Sequence, residues 1–207
     1  MAGIRAAAMG AARAPVHPVR RARRITAPTI GAINSPAYDL HTPSCILLLF
    51  ALFESMSRPI MIANRQKGVA VEPRKLEKFV VRARRALELR ADSFAICFVT
   101  DREMTRLNRA YRGKNRPTDV LSFPTDERSE GKRQGKPKPL PGTYLGDIAI
   151  APAVALRNSR KFGRALDDEL RILILHGMLH LMGYDHETDS GQMERRERRM
   201  RRELGLN

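Results

Sequence analysis

The chain has 207 residues, with 38 Lys or Arg against 22 Asp or Glu, which gives a formal net charge of +16. Hydrophobic residues make up 43% of the chain, which excludes a wholly disordered protein, and no apolar run reaches the roughly 18–20 residues that a membrane-spanning helix requires. Two cysteines, Cys45 and Cys97, are too few for a disulfide framework and fit a reducing, intracellular setting. The positive charge predicts a polyanionic partner, with nucleic acid as the first choice.

Residues 1–55 differ in composition from the rest of the chain. They carry six arginines against two acids and lack a sustained apolar period before residue 45, so we predict disorder there. Three interpretations stand: a secretory signal, an organelle transit peptide, or a mis-assigned start with translation beginning at Met56. We favour the mis-assigned start, and we expect the working domain to cover residues 56–207.

The first half of this domain is predicted to contain a helix, a strand and a second helix. Residues 72–89 place apolar side chains at helical spacing. Residues 94–99 form a short apolar run that is typical of a core strand. Thr100 and Glu103 match a capping box, which predicts a helix that extends to about Tyr111.

The second half is predicted to contain two strands followed by three helices. The strands are residues 119–123 and 144–150, and a basic loop rich in Pro and Gly separates them at 125–142. The helices are residues 152–162, 167–181 and 190–203. Strands mixed with helices indicate a single domain of the α/β (α+β) class.

Three of the five histidines lie within one short segment that begins at His176 and ends at His186. His176 and His180 are at i and i+4 of a predicted helix, so both imidazoles project from the same face. Gly183 allows a sharp turn after the helix, and His186 can then fold back toward the other two. Three converging neutral imidazoles are typical of a catalytic zinc site with an open coordination position. We predict that they bind one Zn²⁺, although Ni²⁺ and Cu²⁺ accept similar ligands.

The spacing matches the H-E-x-x-H-x-x-G-x-x-H pattern of the metzincin proteases at its three histidines and its glycine. The second position holds Gly177, whereas the proteases have a glutamate that acts as general base. The missing carboxylate therefore argues against a protease, while the metal-binding part of the pattern is complete.

Three other motifs, together with the histidine segment, make the chain resemble the YbeY family of bacterial rRNA-maturation endoribonucleases. They are N-R-A-Y-R-G-K at 108–114, P-T-D-V-L-S-F-P at 117–124 and L-G-D-I at 145–148. The resemblance covers essentially all of residues 56–207, and the motifs taken together are highly specific.

The resemblance implies a single-strand-specific, metal-dependent endoribonuclease that acts in maturation of the 3′ end of 16S rRNA and in ribosome quality control. It implies a small hydrolase fold with a central mixed sheet flanked by helices, and one Zn²⁺ held by a metzincin-like helix-and-turn site. It also implies a cytoplasmic protein whose partners are single-stranded rRNA and the small ribosomal subunit. A small-subunit ribosomal protein and a ribosome-assembly GTPase are further partners of the family.

The resemblance assigns the metal ligands to the three histidines and the family's functionally important arginine to Arg112. A planar guanidinium suits bidentate contact with a phosphate. Arg112 and His176 are therefore the predicted catalytic residues. Lys114 and Arg116 are predicted to extend the phosphate-binding surface. Asp185 is predicted either to orient an imidazole or to transfer a proton.

Two other classes of function remain as alternatives. The chain could be a non-catalytic ribosome-assembly factor that uses zinc for stability and its basic faces to bind rRNA. A metalloprotease is the third class, which Gly177 disfavours. The chain has no Trp, so base stacking is a weak source of specificity and contacts with the RNA backbone should dominate binding.

Overall fold

The computed structural model describes residues 60–89, 93–125 and 144–206. The predicted extension at 1–55, with Met56 just after it, and nearly all of the predicted loop at 125–142 lie outside the described residues. In chain order the elements are β1 (Ile60–Asn64), α1 (Pro73–Ala86), β2 (Ser93–Phe98), α2 (Asp101–Arg112), β3 (Val120–Pro124), β4 (Tyr144–Ile150), α3 (Pro152–Lys161), α4 (Leu166–Leu181) and α5 (Gln192–Leu204).

All eight predicted elements are present, and the helix start at Thr100 is formed as the capping box predicts. The backbone N–H of Glu103 donates to Oγ1 of Thr100 at 3.2 Å, which satisfies one of the free donors at the beginning of α2. The predicted fold class is confirmed, because five helices and a four-stranded mixed sheet are interspersed along the described chain.

Strand β1 was not predicted. Its five residues carry no alternation that would mark a strand, and only Ile60 is buried. It exists because it pairs in parallel with β2, with Ile60 opposite Phe94 and Asn64 opposite Phe98. Pairing between segments that are distant in sequence is not visible in local periodicity.

The sheet is mixed, with strand order β1-β2-β4-β3. The β1–β2 and β2–β4 pairs are parallel, whereas β3 runs antiparallel to β4. Pro124 is the last residue of β3 instead of lying beyond the strand, and it pairs with Gly146. A proline is tolerated there because β3 is an edge strand.

The two faces of the sheet are covered differently. Helices α1, α4 and α5 form the larger core on one face, into which β2 projects Phe94, Ile96 and Phe98. Helix α2 covers the opposite face, where Cys97 is buried among small and medium side chains. Among the described residues, no helix combines the length and apolarity needed to cross a bilayer.

Gly146 of the L-G-D-I motif is required by the close approach of β3 to β4. Its φ is +128°, and a Cβ atom at this position would lie 2.0 Å from the backbone oxygen of Phe123. A side chain at this position would separate the two strands, so the motif's glycine is a structural requirement of the sheet edge.

Candidate metal centre

Helix α4 is the central helix of the larger core and carries two of the three clustered histidines. Three acids in its first turn, Asp167, Asp168 and Glu169, interact favourably with the helix dipole. Twelve of its sixteen residues are buried, so a polar side chain on it loses most of its contact with water. His176 and His180, which are only 5% and 2% exposed, are therefore desolvated on a rigid element.

The structure brings His176, His180 and His186 together. Nε2 of His176 and Nε2 of His180 are 3.1 Å apart. The ring of His186 lies 5.4 Å and 5.3 Å, centroid to centroid, from the other two rings. One ring nitrogen from each histidine lies within 4.8 Å of the others, so the group could hold a metal ion.

Hydrogen bonds fix the protonation of two of the rings. Nδ1 of His176 contacts Oε2 of Glu197 at 2.8 Å, and Nδ1 of His180 contacts the backbone oxygen of Tyr184 at 3.0 Å. A carboxylate and a carbonyl only accept hydrogen bonds, so each Nδ1 must carry the proton. The neutral rings then have no proton on Nε2, and two acceptor atoms face each other across 3.1 Å. A cation between them would satisfy both lone pairs.

His186 supports the same conclusion from a different observation. Its Nδ1 atom is buried and has no hydrogen-bond partner among the described residues. A buried polar atom without a partner is costly unless a ligand supplies the missing contact. The donor set therefore fits a metal that prefers imidazole nitrogen, of which Zn²⁺ is the leading example.

The pKa values of two of the rings favour the neutral form that binds metal. Burial, together with the repulsion that a protonated His176 or His186 would exert, lowers the pKa of His180 to about 3. Burial, with the same repulsion from His176, also lowers the pKa of His186. Both imidazoles are therefore neutral at neutral pH, and no proton needs to be displaced before a metal binds.

The turn after α4 delivers His186 to the other two rings. Gly183 has a φ of +88°, which is the left-handed conformation that glycine adopts readily. The backbone N–H of Tyr184 donates to the oxygen of Leu179, which closes the end of the helix. Oδ1 of Asp185 accepts the backbone N–H of Glu187 at 3.1 Å. Asp185 thus stabilises the turn around His186. Its two predicted roles, to orient an imidazole or to transfer a proton, stay predictions.

Gly177 faces the sheet. A Cβ atom at this position would lie 2.8 Å from Cγ2 of Ile148, closer than real side chains approach. The general-base glutamate of the metzincin pattern therefore has no room at this position, because α4 packs too tightly on β4. Ser122 of β3 also contacts α4, because its hydroxyl donates to the backbone oxygen of Gly177 at 3.4 Å.

Arg112 lies at the end of α2 and reaches the histidine segment. Its Nη2 atom contacts Oε1 of Glu187 at 3.2 Å, and its side chain is only 8% exposed. Glu187 follows His186 directly, so Arg112 contacts the histidine segment. The structure therefore brings the predicted arginine and the predicted ligands to one site.

Lys114 and Arg116 lie in the loop that follows Arg112. Buried Asn108 anchors this loop, because its Nδ2 donates to the backbone oxygen of Arg116 at 2.7 Å, and its own backbone oxygen accepts the N–H of Lys114 at 3.2 Å. Arg116 is exposed and Lys114 is half-buried. Asn108, which sequence reasoning did not assign a role, thus fixes the start of the predicted phosphate-binding loop.

Asp147 of the L-G-D-I motif lies on the sheet face opposite α4. It precedes Ile148 along β4, and Ile148 packs against Gly177 on the other face of the sheet. Oδ1 of Asp147 accepts a hydrogen bond from the hydroxyl of Tyr144 at 2.8 Å. Burial raises the pKa of Asp147 to about 6, although the Tyr144 hydrogen bond acts in the opposite direction. This acid therefore does not orient a histidine of the metal centre.

Glu197 is the residue of the site that sequence reasoning missed. It lies on α5 and is buried beside His176. Burial opposes its ionisation, but its hydrogen bond to His176 and the nearby charge of Arg201 outweigh burial and lower its pKa. A signal was present in the sequence, because position 197 falls on the apolar stripe of α5 with Met193 and Met200. An acid on an apolar stripe requires a buried partner.

Known proteins are similar to this chain over most of its length. The sequence model of a family described as Endoribonuclease YbeY matches residues 61–205. A protein of Koribacter versatilis (strain Ellin345) named Endoribonuclease YbeY is 40% identical over 146 residues, which are 70% of this chain and 86% of that protein. One of the same name from Syntrophus aciditrophicus (strain SB) is 36% identical over 138 residues, 67% of this chain and 82% of that protein. The solution structure of TM1509 from Thermotoga maritima has a TM-score of 0.48 and 26% identity, over 70% of this chain and 88% of that one.

Proposed function

Because the chain belongs to the YbeY endoribonuclease family, we propose that it is a metal-dependent endoribonuclease that cuts single-stranded regions of ribosomal RNA. We assign the activity to residues 56–207. We place the protein in the cytoplasm. The maturation of the 3′ end of 16S rRNA and ribosome quality control are the proposed processes. The proposed partners are the small ribosomal subunit, a small-subunit ribosomal protein and a ribosome-assembly GTPase.

The observation that supports this function is the arrangement of the three histidines. The unprotonated Nε2 atoms of His176 and His180 face each other at 3.1 Å, and His186 contributes a third ring nitrogen within 4.8 Å. We propose that these three side chains bind one Zn²⁺. Three protein ligands leave one coordination position of a tetrahedral ion open. Catalytic zinc sites have this arrangement, whereas structural zinc sites have four protein ligands.

The chain's own residues divide the work around this centre. A metal ion bound by the histidines would supply Lewis acidity at the scissile phosphate. Glu197 orients His176 and keeps its Nε2 free for the ion. Arg112 is positioned to bind a non-bridging phosphate oxygen, because its guanidinium reaches Glu187, the residue next to His186, and a phosphate can take the place of that carboxylate. The buried surroundings of both groups strengthen their interaction with a negatively charged phosphate.

Cleavage of a fluorescent single-stranded rRNA fragment by the purified full chain tests the proposal. Wild type is expected to cut the fragment, chelation is expected to stop it, and added Zn²⁺ is expected to restore it. His176→Ala should lose both the activity and the bound metal, measured by elemental analysis. Arg112→Ala should keep the metal and lose at least about tenfold in kcat/KM, as expected for removal of a charged phosphate contact.

The same assay separates the alternative functions. Binding of rRNA without cleavage, by a protein that contains stoichiometric zinc, would favour the assembly factor. Cleavage that survives both His176→Ala and Arg112→Ala would come from a contaminating nuclease and would overturn the assignment. Casein digestion that stops on chelation would favour a protease, which the lack of space for a side chain at Gly177 disfavours.

A further inference from the structure

Helix α2 carries three exposed arginines on its outer face. Arg102, Arg106 and Arg109 are spaced i, i+4 and i+7, so they form one line along the helix. Met104, Leu107 and Asn108 occupy the opposite, buried face. The three arginines, which we call the α2 stripe, extend over about 10 Å at 1.5 Å of rise per residue.

The stability of the helix does not explain the α2 stripe. Like charges at i, i+3 and i, i+4 repel each other and destabilise a helix. Within the part of the chain that the structure describes, none of the three arginines forms an ion pair. The nearby acid Asp101 is paired with Arg157 of α3 instead.

The position of the α2 stripe relates it to the proposed active site. Arg109 lies one turn before Arg112, and Arg112 contacts Glu187 next to His186. Helix α2 covers the sheet face opposite α4, and Arg112 at its end is the point where it reaches the histidine segment. The α2 stripe therefore leads away from that contact along the helix. Gly113 ends the helix in the left-handed conformation, so the line does not continue past this point as helix.

We propose that the α2 stripe holds the phosphate backbone of single-stranded RNA outside the metal centre, on one side of the cleaved bond. This inference rests on the proposed function, because RNA enters the site next to Arg112. A stacked strand advances about 3.4 Å per nucleotide, so the stripe spans roughly three phosphates. Guanidinium groups bind phosphates in a bidentate manner, and their repulsion is relieved when a polyanion binds. The exposed line contains no aromatic side chain, so the contact is independent of base sequence.

The test compares two triple variants that remove the same charge. R102Q/R106Q/R109Q removes the α2 stripe, and R74Q/K78Q/R85Q removes three exposed cations from α1 as a matched control. Glutamine keeps helix propensity close to that of arginine, and circular dichroism melts verify that both variants fold. Binding of fluorescent RNA to the full chain is measured by anisotropy, with strands of about four and about twelve nucleotides, between about 50 and 200 mM salt.

For the longer RNA, we expect the α2 variant to lose about tenfold or more in affinity. The slope of log K against log salt should fall by about 2, since each phosphate contact on a single strand contributes about 0.7. The loss should be much smaller for the short RNA, which cannot reach beyond the metal centre. The α1 control should lose less than about threefold, through the general field alone.

Equal losses in the two triple variants would overturn the proposal, because they would show that only total charge matters. Unchanged binding by the α2 variant, or an equal loss for short and long RNA, would also overturn it. The proposed function is judged separately, by whether wild type cleaves the RNA. A wild type that binds and does not cut would refute the nuclease while the two triple variants still decide the stripe.

Discussion

His176 donates its Nδ1 proton to Oε2 of Glu197 across 2.8 Å, and this contact joins the predicted metal ligand to helix α5. Oε1 of the same carboxylate lies 3.7 Å from Nη1 of Arg201. The carboxylate is thus held between the ring of His176 and the guanidinium of Arg201. Its partners in the fold explain why an acid is tolerated on the apolar stripe of α5.

Removal of Glu197 should weaken metal binding. Glu197→Ala is expected to raise the dissociation constant for Zn²⁺ by about 10- to 100-fold, because the ring of His176 loses the acceptor that orients it and raises its basicity. Glu197→Gln retains an acceptor oxygen and should lose less. Competition with a chromophoric chelator measures the affinity without reference to activity. Glu194→Gln, at an exposed position of the same helix, is the control, and wild-type affinity in Glu197→Ala would contradict the role.

A methyl group at position 177 should destabilise the fold. Gly177→Ala places its Cβ 2.8 Å from Cγ2 of Ile148, and we expect a loss of about 1–3 kcal/mol in the free energy of unfolding, partly offset by the better helix propensity of alanine. Urea unfolding measures the loss. Gly68→Ala is the matched control, because its Cβ would meet nothing within 4 Å.

The clash with Ile148 is tested by a double-mutant cycle. Ile148→Ala removes the contacting atoms, so Gly177→Ala should cost at least about 1 kcal/mol less in that background. Additive losses in the double variant would show that the cost of the methyl group has another origin.

Glu187 should compete with RNA for Arg112. Oε1 of Glu187 contacts Nη2 of Arg112 at 3.2 Å. A phosphate that binds Arg112 must displace this carboxylate. Glu187→Gln removes the competing charge and is expected to lower KM for RNA about two- to fivefold, since half-exposed ion pairs contribute less than about 1 kcal/mol. The same substitution in an Arg112→Ala background should have no effect on KM, and an equal effect in both backgrounds would show that Glu187 acts through another group.

Because of Asp147, the free energy of unfolding of the wild-type protein should fall with rising pH, when it is compared with that of an Asp147→Asn variant. Burial raises its pKa from 3.8 to about 6, so between these values the folded state binds more protons than the unfolded state. The unfolding free energy contributed by this group is therefore lost as pH rises through that window. Asp147→Asn has no proton to lose, and wild type should fall by about 2–3 kcal/mol relative to it between pH 4 and pH 7. Parallel stability curves for the two proteins would contradict the shift.

Local patterns in the sequence predict the helices that the structure describes, three of its four described strands and the segment that carries the histidines. Apolar spacing within a helix is local, so α4 and the i, i+4 pair of His176 and His180 follow from it directly. The capping box at Thr100 is equally local, and it is formed.

Contacts between segments that are distant in sequence become visible in the folded chain alone. Strand β1 exists through its pairing with β2, Glu197 meets His176 from 21 residues away, and Glu187 meets Arg112 from 75 residues away. Local periodicity shows which side of a helix is buried, but not which helix packs against it. The protonation of the imidazoles and the lack of space at Gly177 depend on those neighbours, because hydrogen bonds and close packing are properties of pairs of atoms that only the folded chain brings together.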